Sequence, residues 1–291
     1  MSGRLWVGAS LRKKGIFWNG CVYAMLIVLS VTWVLPIVYL LYTAFRVHPN
    51  TGIINQLFPG DLRLGVGNFV RLFAQTNFPK WLMNTMIVSV ASCGLSTLFI
   101  LSVSYAFSRL RFYLRGLLMR ILLVLGMFPG FMSMIAVYFI LKAMNLTNSL
   151  FALVLVYSGG AALSYYICKG FFDTVPKAME EAAILDGAGQ FTVFWRIMLP
   201  MAKPMIVYTV LTSFIAPWCD FIFVNTIVSE SEKYTVSLGL YKMINAERNG
   251  FNDNFTVFCA GATIVGVIIV ALFMSMQRYY VEGVTSGAVK G

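Results

Sequence analysis

Charge is what this chain has least of: 11% of its 291 residues are Asp, Glu, Lys or Arg, against 59% hydrophobic. Acid is scarcer than base, 11 residues to 22, and there is a single histidine, His48. A soluble domain carries about 25% charged residues, so this composition excludes a water-soluble globule and puts the lipid bilayer among the chain's partners. The dipeptide Gly-Lys does not occur, which removes any P-loop able to cradle nucleotide phosphates. Neither G-x-S-x-G nor H-E-x-x-H is present, so there is no nucleophile elbow and no zinc-protease helix. The five cysteines, Cys21, Cys93, Cys168, Cys219 and Cys259, include no close pair; that spacing signals neither zinc nor a disulfide framework, and they are expected to be small buried hydrophobes. With no catalytic constellation, the chain is expected not to be an enzyme.

Long apolar runs are there instead. A spanning helix needs about 20 apolar residues to cross about 30 Å of hydrocarbon, and residues 16–45, 82–107, 117–141, 150–172, 205–228 and 255–276 each supply that length. Pro36, Pro129, Gly159, Gly160 and Pro217 lie inside these runs, where neighbouring helices of a bundle tolerate them. The first run is too long for a secretion signal and lacks a small-residue cleavage site. The expected fold is therefore all-α, an integral membrane bundle of six transmembrane helices. Lys and Arg set its orientation. Arg4, Arg12, Lys13 and Lys14, then Arg109, Arg111, Arg115 and Arg120, then Lys169, Lys177, Arg196 and Lys203, then Arg278 and Lys290 fall on one side, and they are most of the 22 basic residues. That predicts a cytoplasmic N-terminal segment 1–15, a membrane domain 16–282 with outer loops 46–81 and 229–254 and a cytoplasmic loop 173–204, and a cytoplasmic tail 283–291. The net charge of +11 is then the positive-inside bias, and no nucleic acid is expected as a partner.

One cytoplasmic stretch, EEAAILDGAGQFTVFWRIMLP, is unlike the rest. Asp173 or Thr174 can cap a helix whose first turn holds Pro176, and Glu180 and Glu181 follow near its positive end. Ala182 and Ala183 offer a small surface for close approach. Gly187 and Gly189 interrupt the helix and allow a sharp bend. Phe191, Phe194, Trp195 and Met198 are spaced to cover one face of a second turn, which Pro200 and Pro204 are expected to end. The stretch reads either as two short helices exposing a compact knob to a cytoplasmic protein or as an amphipathic loop lying among lipid headgroups.

The fifth run carries the remaining polar chemistry. Pro217 frees a backbone carbonyl, Trp218 and Phe221 offer flat faces on which a ring could stack, and Asp220 and Asn225 add polar groups. A helix starting at Met205 brings Asp220 roughly 22 Å across the bilayer. An acid there faces protein or a watery path, so Trp218, Asp220, Phe221 and Asn225 are candidates for a pathway. A plain interhelical contact by Asp220 is the competing reading.

The run Glu181-Ala182-Ala183, Asp186-Gly187-Ala188, Phe194, Ile197, Leu199-Pro200 and Pro204 resembles the EAA loop of binding-protein-dependent ABC importer permeases, with the same internal spacing. The C-terminus, Arg278 to Gly291, and the fifth run with its following loop resemble the MalG type of subunit from maltose/maltodextrin importers and its carbohydrate-uptake relatives. Trp218-Cys219-Asp220-Phe221 followed by Ile222-Phe223-Val224-Asn225 departs from the W-N-x-F-L-W-P-L type of segment common there, which leaves the sugar open. The resemblance implies a permease subunit in a bacterial cytoplasmic membrane, translocating a sugar such as maltodextrin by alternating access. It implies ATPase-coupling roles for Glu180, Glu181, Ala182, Ala183, Asp186, Gly187, Ala188, Phe194, Leu199 and Pro200, and an ATPase-interface tail at Gly287, Ala288, Val289 and Lys290. The implied partners are a second, MalF-like permease, two cytoplasmic ATPase subunits and an extracytoplasmic sugar-binding protein. ATP and Mg would belong to the ATPase; no cofactor is expected in this chain. An outer loop 229–254 reaching the binding protein's sugar cleft is also implied. The alternative is a secondary, ion-coupled sugar carrier acting alone. That class calls for inverted repeats with matched broken helices, and no such self-similarity is visible.

Overall fold

A computed structural model describes residues 3–47, 63–128, 130–160, 162–245 and 250–288. His48 and Pro129 lie outside the described residues. The elements are α1 (Gly3–Phe45), α2 (Gly67–Gln75), α3 (Phe78–Arg109), α4 (Arg115–Met127), α5 (Gly130–Ala143), α6 (Leu150–Ser158), α7 (Ala162–Thr174), α8 (Ala178–Leu185) and α9 (Gln190–Val193). A π-helical turn (Phe194–Met198) and one α-turn (Leu199–Met201) lead into α10 (Lys203–Cys219), followed by α11 (Ile222–Ile227), α12 (Val236–Ile244) and α13 (Gly250–Ala288). Among the described residues the only β-pairing is one bridge, Arg46 with Leu64.

α3 is the hub. Thr85, Ser89, Ser92, Ser96, Ser104 and Ser108 are all buried along it, at helical spacing. Lipid gives apolar side chains no reason to leave it, so membrane helices associate by close packing, and small residues let backbones approach. α10, α7 and α6 pack on this stripe. The serine and threonine hydroxyls are partly consumed within the helix itself, as Thr85 Oγ1 to the Trp81 carbonyl at 2.8 Å and Ser92 Oγ to the Val88 carbonyl at 2.6 Å.

The apolar runs are less continuous than their composition suggests. Among the described residues four helices are long and apolar enough to cross a membrane, and up to six spans result if each bent pair counts as one. The run at 117–141 is broken, with a bend of 108° between its halves. Gly126 and Gly130 flank the break. The run at 150–172 is interrupted at Gly159–Gly160, where Gly160 has φ of +65°. The run at 205–228 splits at Asp220, which is extended (φ −92°, ψ 105°), into α10 and α11.

The outer loops hold more structure than polarity alone indicates. In 46–81, α2 is amphipathic and buries Leu72, while Asn68 donates to the Ala44 and Arg46 carbonyls at 3.0 and 2.7 Å. In 229–254, α12 buries Val236, Leu238, Gly239 and Leu240. Gly239 is necessary to that packing, because a Cβ there would lie 2.2 Å from the Trp81 indole. The Trp81 ring cannot easily retreat, since its Nε1 donates to the Ser231 carbonyl at 2.9 Å. Of the cysteines, Cys93, Cys168 and Cys259 are buried as expected, whereas Cys21 and Cys219 are exposed on the isolated chain.

Candidate functional site

The knob at 173–204 is built at the C-terminal end of α3. The E-A-A-x-x-D-G-A pattern is a helix C-terminus spelled out residue by residue. The Gly187 N–H donates to the Ile184 carbonyl at 3.0 Å and the Ala188 N–H to the Ala183 carbonyl at 2.9 Å. This is the Schellman arrangement, with Asp186 as C-cap and Gly187 in the left-handed region at φ +87°. The small contact between the third-from-last and the second following residue, usual in that motif, is Ala183 with Ala188, both packed against one apolar cluster. The signature therefore fixes a turn first.

That turn sorts the expected coupling residues into two sets. Glu181, Ala182, Asp186 and Gly187 are exposed, and Leu185 is 88% exposed at the tip. Phe194 is buried, Leu199 is half-buried and Pro200 is exposed. Glu180 faces inward: it is buried, with its Oε1 2.9 Å from the Arg109 Nε. It is therefore not part of the knob's exposed surface. Burial raises its carboxyl above the ordinary range, an effect that Arg109 and Lys177 oppose without cancelling.

Three expectations for this stretch change. Asp173 and Thr174 do not cap α8; both end α7, Lys177 holds the N-cap position of α8, and Asp173 receives Lys169 at 2.6 Å and Ser108 at 2.7 Å. The second turn is not a uniform α-helical face. Its π-helical turn lets Val193 and Met198, five apart, both lie at 0% exposure, leaving Phe191 76% and Trp195 45% exposed. Pro200 lies in the last turn of the continuous helical stretch 190–201, which ends there as expected, whereas Pro204 does not end a helix but sits in the first turn of α10, where a missing N–H costs nothing; the chain bends 81° between the two stretches.

The second group of candidates surrounds the break in the fifth span. Asp220 is half-buried and fully engaged: Oδ2 accepts from the Tyr157 hydroxyl at 2.9 Å, and Oδ1 from the Phe223 N–H at 2.9 Å, capping α11. The Ser237 hydroxyl donates to its carbonyl at 2.9 Å. Asp220 thus ties together α6, α11 and α12. Trp218 is buried, and Phe221 stacks on Tyr241 with centroids 4.5 Å apart; both line a cavity of about 430 Å³ with Ser237, Leu240 and Phe258. Asn225 is exposed on α11 and does not join them. Gly287 and Ala288 end α13, and Val289 and Lys290 lie outside the described residues.

Sequence reasoning missed Arg109, Tyr105, Tyr157 and Ser237. Arg109 was visible only as one more basic residue at a span end, and Tyr157 and Ser237 as ordinary members of an apolar run and a polar loop. Pairing across distant segments left no local signal for any of them.

A helical bundle of membrane-spanning length that carries an exposed, partly acidic knob at one end is a polytopic membrane protein. The model of the family described as binding-protein-dependent transport system inner membrane component matches residues 96–285. The chain belongs to that family, the permease subunits of ABC transporters, and is a multi-pass protein of the cytoplasmic membrane. In this family ATP hydrolysis belongs to partner subunits. The maltodextrin transport system permease protein MalD of Streptococcus pneumoniae is 32% identical over 97% of this chain and 99% of its own length. The galactooligosaccharides transport system permease protein GanQ of Bacillus subtilis is 31% identical over 84% of this chain and 81% of its own length. MalG of Escherichia coli is 31% identical over 72% of each. A chain in the crystal structure of a bacterial ABC transporter involved in the import of the acidic polysaccharide alginate superposes with a TM-score of 0.77, covering 92% of this chain and 98% of that one. At 21% identity that likeness speaks for the fold.

Proposed function

We propose that this chain is one transmembrane half of an importer for an oligosaccharide of the maltodextrin kind, working by alternating access and powered by ATP hydrolysed in separate subunits. Its complex would comprise a second, MalF-like permease, two ATPase subunits and an extracytoplasmic sugar-binding protein. Both termini lie in the cytoplasm in this reading. The observation that carries it is the knob, with Glu181, Ala182, Leu185 and Asp186 exposed together around a turn locked by Gly187. An exposed apolar tip ringed by acid suits a cleft with basic walls, and its rigidity lets a push at the tip reach the bundle. Gly287, Ala288, Val289 and Lys290 would add a second contact with the ATPase. The maltodextrin and galactooligosaccharide relatives support the substrate class.

Within the same proposal the route passes the break in the fifth span. Trp218 and Phe221 supply apolar surface there, Asp220 holds the joint, and Asn225 is the free polar group on α11. The test is to purify the tagged chain with whatever accompanies it and reconstitute the complex in vesicles with the sugar-binding protein. Uptake of radiolabelled maltooligosaccharide should require both ATP and that protein. Uptake driven by an ion gradient without ATP would overturn the reading in favour of a secondary carrier.

A further inference from the structure

The last turns of α3 grip the knob at several separate points. The Tyr105 hydroxyl donates to Gln190 Oε1 at 3.0 Å, beside α9, and the Ser108 hydroxyl to Asp173 Oδ1 at 2.7 Å, on α7. Arg109 does most. Its Nη2 donates to the carbonyls of Phe172 at 2.8 Å and Val175 at 2.6 Å, and its Nε lies 2.9 Å from Glu180 Oε1. Phe172 is among the last residues of α7, whose final carbonyls lack helical partners, and Glu180 lies in the first turn of α8. One guanidinium therefore closes the negative end of one helix and binds the acid at the start of the next. The Arg109 and Glu180 side chains are only 4% and 11% exposed. Solvent screening is correspondingly weak, and loss of either partner leaves a buried charge.

We propose that Arg109 is the transmission residue of this permease: a positioning residue that pins α8 and the α7 end to α3, so that displacement of the knob moves the second span as one body with it. The inference rests on the proposed function, since it assumes an ATPase that moves the knob. α3 is suited to relay such a movement because α10, α7 and α6 pack along its small-residue stripe. A guanidinium suits the place because Nη2 donates to two carbonyls while Nε of the same rigid, delocalised cation lies against the carboxylate, an arrangement that a compact ammonium on a flexible stem does not reproduce.

The test uses the intact complex in vesicles and reads three quantities for each variant: ATPase retained on purification, ATP hydrolysed, and sugar imported per ATP. Arg109→Gln is expected to keep the ATPase bound and hydrolysing while sugar imported per ATP falls by about 5- to 150-fold, the span of ordinary coupling energies. Arg109→Lys should not restore it. Glu180→Gln added to Arg109→Gln should do no further harm, because it removes the stranded carboxylate. Tyr105→Phe, which deletes one bond and leaves the packing, should reduce the same ratio to a smaller extent, and it serves if Arg109→Gln fails to insert. Unchanged import per ATP in Arg109→Gln or, where that fails to insert, in Tyr105→Phe overturns the inference, as does parallel loss of bound ATPase, hydrolysis and import. Absence of ATP-driven import in the wild-type complex would instead overturn the functional reading beneath it.

Discussion

Gly187 offers the cleanest perturbation of the knob, because its backbone and its surroundings make separable demands. At φ +87° an L-residue is strained, yet a Cβ there would meet nothing within 4 Å. Any penalty must come from conformation rather than from collision within this chain. A left-handed conformation costs about 1–2 kcal/mol for an ordinary L-residue, with Asn spared most of it and β-branched residues worst placed. If the turn yields, the two bonds to the Ile184 and Ala183 carbonyls go too, each worth about 0.5–1.5 kcal/mol. Even the lower end of the total, about 2 kcal/mol, lowers the native turn's population about 30-fold. Gly187→Asn, Gly187→Ala and Gly187→Val should therefore retain ATP-driven uptake and ATPase association in that descending order. Asn and Val are of similar bulk, so a docking clash would injure both alike. Gly189→Ala is the control: φ −72° with ψ 160° suits any residue, and it should transport as the wild type does. A ranking by side-chain size, or Gly187→Val at wild-type activity, would refute the reasoning.

Gly239→Ala should lower the thermal stability of the detergent-solubilised protein by about 2–4 kcal/mol equivalent, through overpacking against Trp81 and strain on its hydrogen bond; a melting curve superimposable on the wild type's would show that α12 is free to shift. Tyr157→Phe leaves Asp220 with one acceptor oxygen unfilled and should destabilise by about 0.6–1.7 kcal/mol, while a thiol reagent applied to Asp220→Cys in a cysteine-free background should label in an ATP-dependent way if the joint opens during transport. Shortening the outer loop across 240–250 would remove half of α12 and is expected to abolish accumulation, whereas Lys242→Glu on its exposed face should weaken sugar-binding-protein association without changing melting. Equal binding-protein affinity after Lys242→Glu would place that contact elsewhere.

The six apolar runs could be read from composition because lipid enforces a minimum length on anything that crosses it. The D-G-A turn was legible for a similar reason: few residues tolerate a positive φ, so a glycine after a short amphipathic run marks a helix end. Glu180 and Glu181 show the limit. They are adjacent and identical in type, yet one faces Arg109 and the other solvent, and the choice was made by a residue on a helix far away in sequence. α12 was hidden differently. Val236–Ile244 is too short to register as a span and carries a central glycine that argues against helix, and only the Trp81 ring on α3 explains why glycine is there. In the fifth span Pro217 marked the neighbourhood of a break, but the break falls at Asp220, where the carboxylate can cap the next helix.

Those breaks are also where polar groups collect inside the bundle, and the two facts have one cause. Lipid cannot satisfy a backbone N–H or C=O released from a helix, so a break survives only where protein or an internal cavity takes over. At Gly159–Gly160 the Tyr165 hydroxyl donates to the Gly159 carbonyl at 2.8 Å, and the Gly160 N–H finds the Tyr157 carbonyl at 3.2 Å. At Asp220 the carboxylate serves the Phe223 N–H and Ser237 serves the Asp220 carbonyl. Tyr157 links the two breaks, since its carbonyl serves one and its hydroxyl the other. Beside them lies a cavity of about 280 Å³ lined by Ser96, Tyr157, Gly160, Ser164, Thr212 and Ser213, with Ser213 and Ser96 hydrogen-bonded across it at 3.1 Å. Such short polar links are individually weak, worth about 0.6 kcal/mol on average within membranes. They can therefore exchange partners without unfolding a helix, whereas the Arg109 clasp is buried and multiply bonded. Buried, multiply bonded contacts are concentrated at the knob and exchangeable ones at the broken spans, the distribution that the proposed alternating-access movement would call for.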